Sequence, residues 1–325
     1  MSESKNWSFP TNLQPSAQDM TCDLDHVLDS VVSVRAEIPE DAFTASFLGT
    51  ERSGSGVVIS EDGLILTIGY LITEAQSIWL TANNGTVIQG HTLAYDQATG
   101  FGLIQPLGRL KLPMLPFASM ASTEADDDVF VIASGGRHHA LKAKVVGKRE
   151  FAGNWEYVLD EAIFTAPAHP HWSGAALVDE FGRLLGIGSL LVQEAREEGQ
   201  SLQGNMFVPV DILKPILDDL KKYGKASGPT RPWLGLYVAE SDGNLVVSGV
   251  TEGGPAAKAG VRPGDVIINV AGGKPTGIAD VFRRYWSLGA AGIEVPLTLL
   301  RKGSRSEIVV RSAERGALLK KPSLH

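Results

Sequence analysis

The sequence has almost no cysteine, since Cys22 is the one cysteine in 325 residues. A disulfide framework within the chain is therefore excluded, and so is a zinc site built from cysteine pairs. Long apolar runs are missing as well, because the longest, from Gly63 to Ile72, has about half of the ~20 residues that a membrane-spanning helix needs. The sequence thus indicates neither a disulfide-stabilised fold nor membrane insertion.

Positive charge is also scarce. The chain carries 29 Lys and Arg against 37 Asp and Glu, which leaves a net charge of −8. Because nucleic-acid binding needs a basic surface, this composition predicts no nucleic-acid partner. Residues 1–20 contain no apolar segment typical of an export signal. A cytoplasmic location is expected on that ground, or a periplasmic one if the natural start of the chain is missing.

Glycine, in contrast, is abundant, with 36 residues in the chain. Between Ser53 and Gly188, short apolar runs alternate with turn residues, and no helical pattern separates them. Dense short strands without intervening helices are typical of a β-sandwich or a β-barrel. Beyond this region the spacing of apolar residues predicts an amphipathic helix over Ile212–Tyr223, capped by the Asp211 carboxylate. A mainly β fold is expected.

A stretch rich in Gly and Pro, residues 224–232, predicts a linker between two domains. Beyond it, Gly254–Ile267 combines a helical turn of small residues, a Gly stop and a Pro-Gly-Asp turn before a buried strand. This specific pattern resembles the PDZ domain. The resemblance implies that a peptide pairs with the strand Leu236–Ala239. It also implies that the loop Trp233–Leu236 receives the peptide's C-terminal carboxylate, through the backbone N–H groups of Leu234, Gly235 and Leu236.

Three segments of the chain before the linker also match a known family pattern. They are Gly54–Ile59, Asp62–Tyr70 and Pro170–Leu177. Together with the PDZ pattern they resemble the HtrA/Deg family of trypsin-like serine proteases. The resemblance implies a trypsin-like pair of six-stranded β-barrels followed by a small α+β PDZ domain. The expected organisation is an N-terminal arm and helix (1–29), a trypsin-like domain (30–223), a linker (224–232), a PDZ domain (233–316) and a tail (317–325).

The residues expected to carry the chemistry depart from the family pattern. The resemblance puts the nucleophile at Ser173, but Tyr70 stands where the family has the triad His, and Gly100 where it has the Asp. A Ser hydroxyl needs an adjacent base, whereas a Tyr with a pKa near ~10 is a hydrogen-bond donor at neutral pH. His171 and Trp172 replace the Gly-Asn pair before the Ser. This alters the loop whose first backbone N–H binds the oxyanion in relatives.

These departures predict an HtrA-like pseudoprotease. It would bind peptides, unfolded proteins or protein C-termini through the PDZ domain, as a chaperone-like, scaffold or regulatory protein without a cofactor or metal. Two alternatives stay open: an active serine endopeptidase with an atypical site around Ser173, and a metal-dependent hydrolase. The latter would use loop histidines, of which the sequence offers His138, His139, His169 and His171.

Two aromatic residues of the N-terminal arm, Trp7 and Phe9, stand alone in a polar segment. In HtrA relatives, aromatic residues of such a segment hold a trimer together, so the resemblance implies a homo-oligomer, most simply a trimer. The alternative is that both side chains pack on their own subunit.

Overall fold

The computed structural model describes residues 7–193, 195 and 201–320, and its regular structure is mainly β-strand. The chain divides into two compact units. The first contains the chain up to Arg149, together with Glu161–Ala226 and the segment from Lys320 onward. The second contains Ser227–Leu319 and also the short segment Glu150–Asp160.

The first unit contains two closed six-stranded barrels, which confirms the mainly β, trypsin-like fold expected from the sequence. In the first barrel the strands follow one another around the wall as β1-β2-β3-β6-β5-β4. They are β1 (Val31–Glu37), β2 (Glu51–Val58), β3 (Ile65–Ile68), β4 (Ser77–Thr81), β5 (Val87–Tyr95) and β6 (Phe101–Pro106).

The second barrel repeats this arrangement with the order β10-β11-β12-β9-β8-β7. Its strands are β7 (Asp128–Ile132), β8 (Ala140–Gly153), β9 (Tyr157–Ala166), β10 (Ala176–Val178), β11 (Leu184–Val192) and β12 (Gly204–Pro209). Strands such as β1 bury alternate residues, whereas every residue of β3, β10 and β12 is buried. Continuous burial is typical of strands that are covered on both faces.

In the described part of the first unit there are three short helices: α1 (Leu24–Asp29), α2 (Ala45–Leu48) and α3 (Leu217–Tyr223). The long helix predicted over 212–223 is wrong in its first part, because Val210–Ile212 forms a 3-10 turn and α3 begins only at Leu217. The predicted cap is wrong as well. The Asp211 carboxylate accepts hydrogen bonds from the Met120 N–H at 2.7 Å and from the Ser119 hydroxyl at 2.9 Å.

The second unit is a five-stranded antiparallel sheet in the order β13-β14-β15-β16-β17, with two helices. Its elements are β13 (Leu236–Ser241), β14 (Asn244–Val250), α4 (Pro255–Lys258), β15 (Val266–Val270), α5 (Ile278–Trp286), β16 (Glu294–Arg301) and β17 (Ser304–Arg311). Val281, Phe282 and Tyr285 of α5 are fully buried in the core of this unit. Along the part of the chain that the structure describes, no helix is both long and apolar enough to cross a membrane.

Candidate functional site

Tyr70 and Ser173 meet although they come from different barrels. Tyr70 lies in the 3-10 turn Gly69–Leu71, directly after β3, and Ser173 lies in the loop that leads into β10. The Ser55 N–H donates to the Ser173 carbonyl at 2.8 Å, which ties this loop to β2. Gly174 has a φ of +73°, and a Cβ there would meet the Ser55 carbonyl oxygen at 2.0 Å. Only glycine therefore permits this close approach of the two backbones.

The Ser173 hydroxyl faces a phenol. The Tyr70 hydroxyl lies 2.8 Å from Ser173 Oγ and 2.9 Å from the carbonyl oxygen of Ser189. Tyr70 has a single proton for these two neighbours. If it goes to the carbonyl, which only accepts, Ser173 donates to the phenol oxygen. If it goes to Ser173 instead, the serine oxygen is held as an acceptor. Neither arrangement puts a base next to the serine.

The surroundings keep Tyr70 protonated. Burial raises the pKa of Tyr70 to about 12, since it penalises the phenolate more than the hydrogen bonds from Ser173 and Trp172 favour it. The phenol is therefore neutral at any pH near 7. A general base requires a pKa near the working pH, and Tyr70 does not meet that requirement.

Gly100 lies next to the turn that carries Tyr70 and brings no side chain to it. Its carbonyl accepts a hydrogen bond from the Gly69 N–H at 2.7 Å, and its φ is +82°. The nearest carboxylate in the sequence, Asp96, bonds to the backbone N–H and hydroxyl of Thr99 at 2.8 and 2.7 Å. Asp96 thus closes the turn before β6 and is not directed at Tyr70.

The loop before Ser173 is held by His169, which the sequence offered only as a candidate metal ligand. His169 is buried, and its Nδ1 accepts a hydrogen bond from the backbone N–H of His171 at 3.0 Å. Its Nε2 lies 2.8 Å from the His139 carbonyl oxygen, and an oxygen of that kind only accepts. The ring is therefore the neutral tautomer with its proton on Nε2. Burial lowers the pKa of His169 to about 4, and His171 and His139 add repulsion.

The N-terminal arm packs on this loop within its own chain. The Trp7 ring stacks on His139 at 4.6 Å with an interplanar angle of 5°, and it lies 4.9 Å from the His171 ring. Phe9 donates its N–H to the His138 carbonyl and contacts the His169 ring at 5.0 Å. The structure thus places both aromatic residues on their own subunit, which is the second of the two roles expected for them.

The loop histidines do not form a metal-ligand set. His139 and His169 use ring nitrogens on backbone groups, and the rings of His169 and His171 are 6.3 Å apart. Among residues 7–193, 195 and 201–320, no group of three or more His, Cys, Asp or Glu side chains is arranged to hold a metal ion.

A second site lies in the second unit, at the loop Trp233–Leu236 before β13. The N–H of Leu236 donates to Glu156 Oε1 at 2.8 Å, and the N–H of Leu234 lies 3.1 Å from Oε2. The Tyr285 hydroxyl of α5 donates to Oε2 at 2.7 Å. Burial raises the pKa of this carboxyl, and the hydrogen bonds from Leu236, Tyr285, Leu234 and Gly235 oppose that rise. The loop is therefore built to receive a carboxylate.

Glu156 was not among the residues singled out from the sequence. It follows Asn154 and Trp155 in the turn between β8 and β9, and its neighbours in sequence suggest only an ordinary hairpin turn. Its buried position depends on contacts with residues about 80 positions away in the chain. A sequence pattern carries no signal for such a contact.

Each of the two units matches the model of a known domain family. Residues 54–187 match the trypsin-like peptidase domain, and residues 232–311 match the PDZ domain. A probable periplasmic serine endoprotease DegP-like from Pseudomonas putida is 29% identical over 275 residues, covering 79% of this chain and 55% of that protein. Protease Do-like 1, chloroplastic, from Arabidopsis thaliana is 29% identical and covers 84% of this chain and 66% of its own length.

Among solved structures, the serine endoprotease from Yersinia pestis aligns with a TM-score of 0.52 at 21% identity, over 91% of this chain and 99% of that one. At this identity the likeness shows the fold. The chain spans about half the length of the first curated relatives that it matches. The chain therefore combines a match to the trypsin-like peptidase domain with a match to the PDZ domain, and it is similar to DegP-like serine endoproteases.

Proposed function

We propose that this chain is a pseudoprotease of the HtrA type, which binds protein C-termini and does not cleave peptide bonds. The observation that carries the proposal is the contact between the hydroxyls of Tyr70 and Ser173 at 2.8 Å. In the family pattern the residue at the position of Tyr70 is the His that takes the serine proton. A phenol with a pKa of about 12 does not take that proton at neutral pH.

Two further features support the loss of proteolysis. Gly100 stands where the family has the acid that orients the base, and it has no side chain. The backbone N–H of His171 stands where the family's Gly supplies an oxyanion donor, and here it is bound to His169 Nδ1. An oxyanion hole works only when its donors are free to face the developing charge. The nucleophile position thus remains, while the base, the acid and one oxyanion donor do not.

The test is cleavage of unfolded casein by the purified full-length chain, compared with Ser173→Ala. We expect both proteins to give the same background rate, and we expect no labelling of Ser173 by a fluorophosphonate probe. The relatives are named as endoproteases, so activity is the alternative outcome. Cleavage that disappears in Ser173→Ala would assign an atypical serine endopeptidase instead. Cleavage that a chelator abolishes and Ser173→Ala leaves intact would point to a metal-dependent hydrolase.

The PDZ unit is proposed as the part that binds partners. Its loop Trp233–Leu236 already directs backbone N–H groups at a carboxylate, and the strand β13 continues from that loop. An extended peptide with a free C-terminus fits such a site, because its terminal carboxylate binds the loop and its backbone pairs with the strand. Peptides, unfolded chains and protein C-termini are the ligands that this chemistry selects.

The proposed cellular location and oligomeric state of this chain are based on the relatives and on the family resemblance. The Pseudomonas relative is named as periplasmic and the Arabidopsis relative as chloroplastic. They favour a periplasmic protein over the cytoplasmic location expected from the sequence. A homotrimer remains the proposed assembly. Since Trp7 and Phe9 pack on their own chain, the trimer would need other contacts in addition to these two side chains.

A further inference from the structure

The hairpin between β8 and β9 ends in an unusual turn. Only Asn154, Trp155 and Glu156 separate the two strands, and Glu156 has a φ of +62°. Three-residue hairpin loops place a residue with this left-handed conformation at their end, and glycine is preferred there because it has no Cβ. A glutamate at this position is disfavoured by the backbone. The reason for it must lie in its side chain.

That side chain is fully enclosed by the second unit. Glu156 is 5% exposed, and its carboxylate receives the N–H groups of Leu234 and Leu236 and the hydroxyl of Tyr285. A carboxylate that is removed from water requires such donors to offset its lost hydration. The same donors are those that the family resemblance assigns to a peptide's terminal carboxylate. The Glu156 carboxylate therefore stands in for the C-terminus of a bound peptide.

The rest of the segment Glu150–Asp160, which we call the hairpin tip, adds two more features of a PDZ ligand. The Asn154 carbonyl accepts a hydrogen bond from the Val238 N–H of β13 at 3.0 Å, as a peptide strand would. Val158 is buried in the hydrophobic core of the second unit. In addition, the Arg283 guanidinium of α5 pairs with both Glu150 and Asp160. Main-chain pairing, an apolar side chain and a carboxylate are thus all supplied from within the chain.

We propose that the hairpin tip is an internal ligand of the PDZ groove, and that a protein C-terminus binds this groove only by displacing Glu156 from the loop Trp233–Leu236. The inference rests on the proposed peptide-binding function. Each backbone N–H carries one proton, so the Glu156 carboxylate and an external carboxylate compete for the same donors. The apparent affinity for a peptide is the intrinsic affinity reduced by the fraction of chains whose hairpin tip has left the groove.

The test measures fluorescence anisotropy of peptides with an apolar C-terminal residue against the full-length chain. Free-acid and amidated forms of each peptide are compared. The variants are Glu156→Gln, which keeps the side-chain shape, and Glu156→Gly, which also relieves the left-handed backbone. Glu161→Gln is the matched control, because it removes an exposed carboxylate from the neighbouring strand β9. We expect free-acid peptides to bind both Glu156 variants at least about tenfold tighter than the wild type or the control.

Hydrogen exchange provides a second measurement that needs no peptide. In the wild type and in Glu161→Gln, we expect the amides of residues 234–238 and 151–158 to be protected. In Glu156→Gly we expect faster exchange in both segments while the barrels stay protected. Circular dichroism and thermal unfolding identify a variant that fails to fold, and Tyr285→Phe is then the milder change, since it removes only one donor from the Glu156 carboxylate.

The outcomes separate the two proposals. Equal binding of free-acid peptides by the wild type and the Glu156 variants would show an open groove and overturn the internal ligand, while leaving peptide binding in place. Equal binding of free-acid and amidated peptides by every variant would overturn the proposed carboxylate recognition of external ligands. In that case the hydrogen-exchange data test whether the hairpin tip occupies the groove. Unchanged protection of both segments in Glu156→Gly would overturn the internal ligand as well.

Discussion

The backbone N–H of His171 donates a hydrogen bond to Nδ1 of His169 at 3.0 Å. The ring that accepts it donates from its other nitrogen to the His139 carbonyl. Because one nitrogen must accept and the other must donate, only the neutral imidazole fits this environment. The same hydrogen bond holds the loop before Ser173, and it engages the backbone N–H that we propose as the lost oxyanion donor. Protonation of His169 is therefore expected to loosen this loop.

Stability should depend on pH through His169. The unfolded side chain has a pKa of 6.5 and the folded one about 4, so the unfolded state binds more protons between these values. The stabilisation is complete above pH 6.5 and is lost as the pH falls towards 4. We expect the free energy of unfolding to be up to about 2 kcal/mol lower at pH 5 than at pH 7. The lowered pKa of His171 acts in the same direction.

The measurement is urea unfolding of the wild type and His169→Asn at both pH values. We expect the difference between pH 7 and pH 5 to shrink in His169→Asn and to persist in His138→Asn, which changes an exposed histidine of the nearby turn. An equal pH dependence in all three proteins would contradict the assigned tautomer.

Removal of the Tyr70 hydroxyl should destabilise the first unit. Tyr70→Phe leaves the Ser173 hydroxyl and the Ser189 carbonyl without the partner that they share. Leaving a part-buried polar group without its hydrogen-bond partner lowers the free energy of unfolding by about 1–3 kcal/mol. Denaturant unfolding of Tyr70→Phe against the wild type measures this cost. Tyr223→Phe is the control, because Tyr223 is 59% exposed. A change no larger than that of the control would show that the phenol has no structural role.

Gly235→Val should impair carboxylate binding. Gly235 has a φ of +74°, and a Cβ there would lie 3.1 Å from both Thr251 Cβ and the Trp233 ring. A β-branched residue disfavours this φ and displaces the loop. In a Glu156→Gly background, we expect a free-acid peptide to bind at least about tenfold more weakly after Gly235→Val, the loss expected from about 1.4 kcal/mol. Unchanged affinity of a folded double variant would mean that another surface binds the peptide.

Light scattering tests the proposed assembly. The chain mass is 34.6 kDa, and the trimer proposed from the family resemblance predicts a particle of about three times this value. The measurement should be repeated at several micromolar concentrations. A mass equal to one chain throughout that range would refute the trimer.

Much of the architecture was predictable from local pattern. The short strands between Ser53 and Gly188 were predicted, because short apolar runs separated by turn residues indicate strands that are buried in a core. The family motifs supplied the closure into barrels. Asp211 shows where local pattern fails: its position favours a helix cap, but the backbone of Met120, distant in sequence, offered its carboxylate a better partner.

The sequence by itself determined which residues are present at the expected site: residue identity puts a phenol at position 70, and the proposal that Ser173 lacks its base rests on that identity. Its resemblance to a PDZ domain also identified the loop Trp233–Leu236 as a candidate carboxylate site. Only the tertiary structure decided what these groups bind. Tyr70 and Ser173 are 103 residues apart, and Glu156 and Leu236 are 80 apart. Contacts over such distances depend on how the strands pack, which no local pattern encodes.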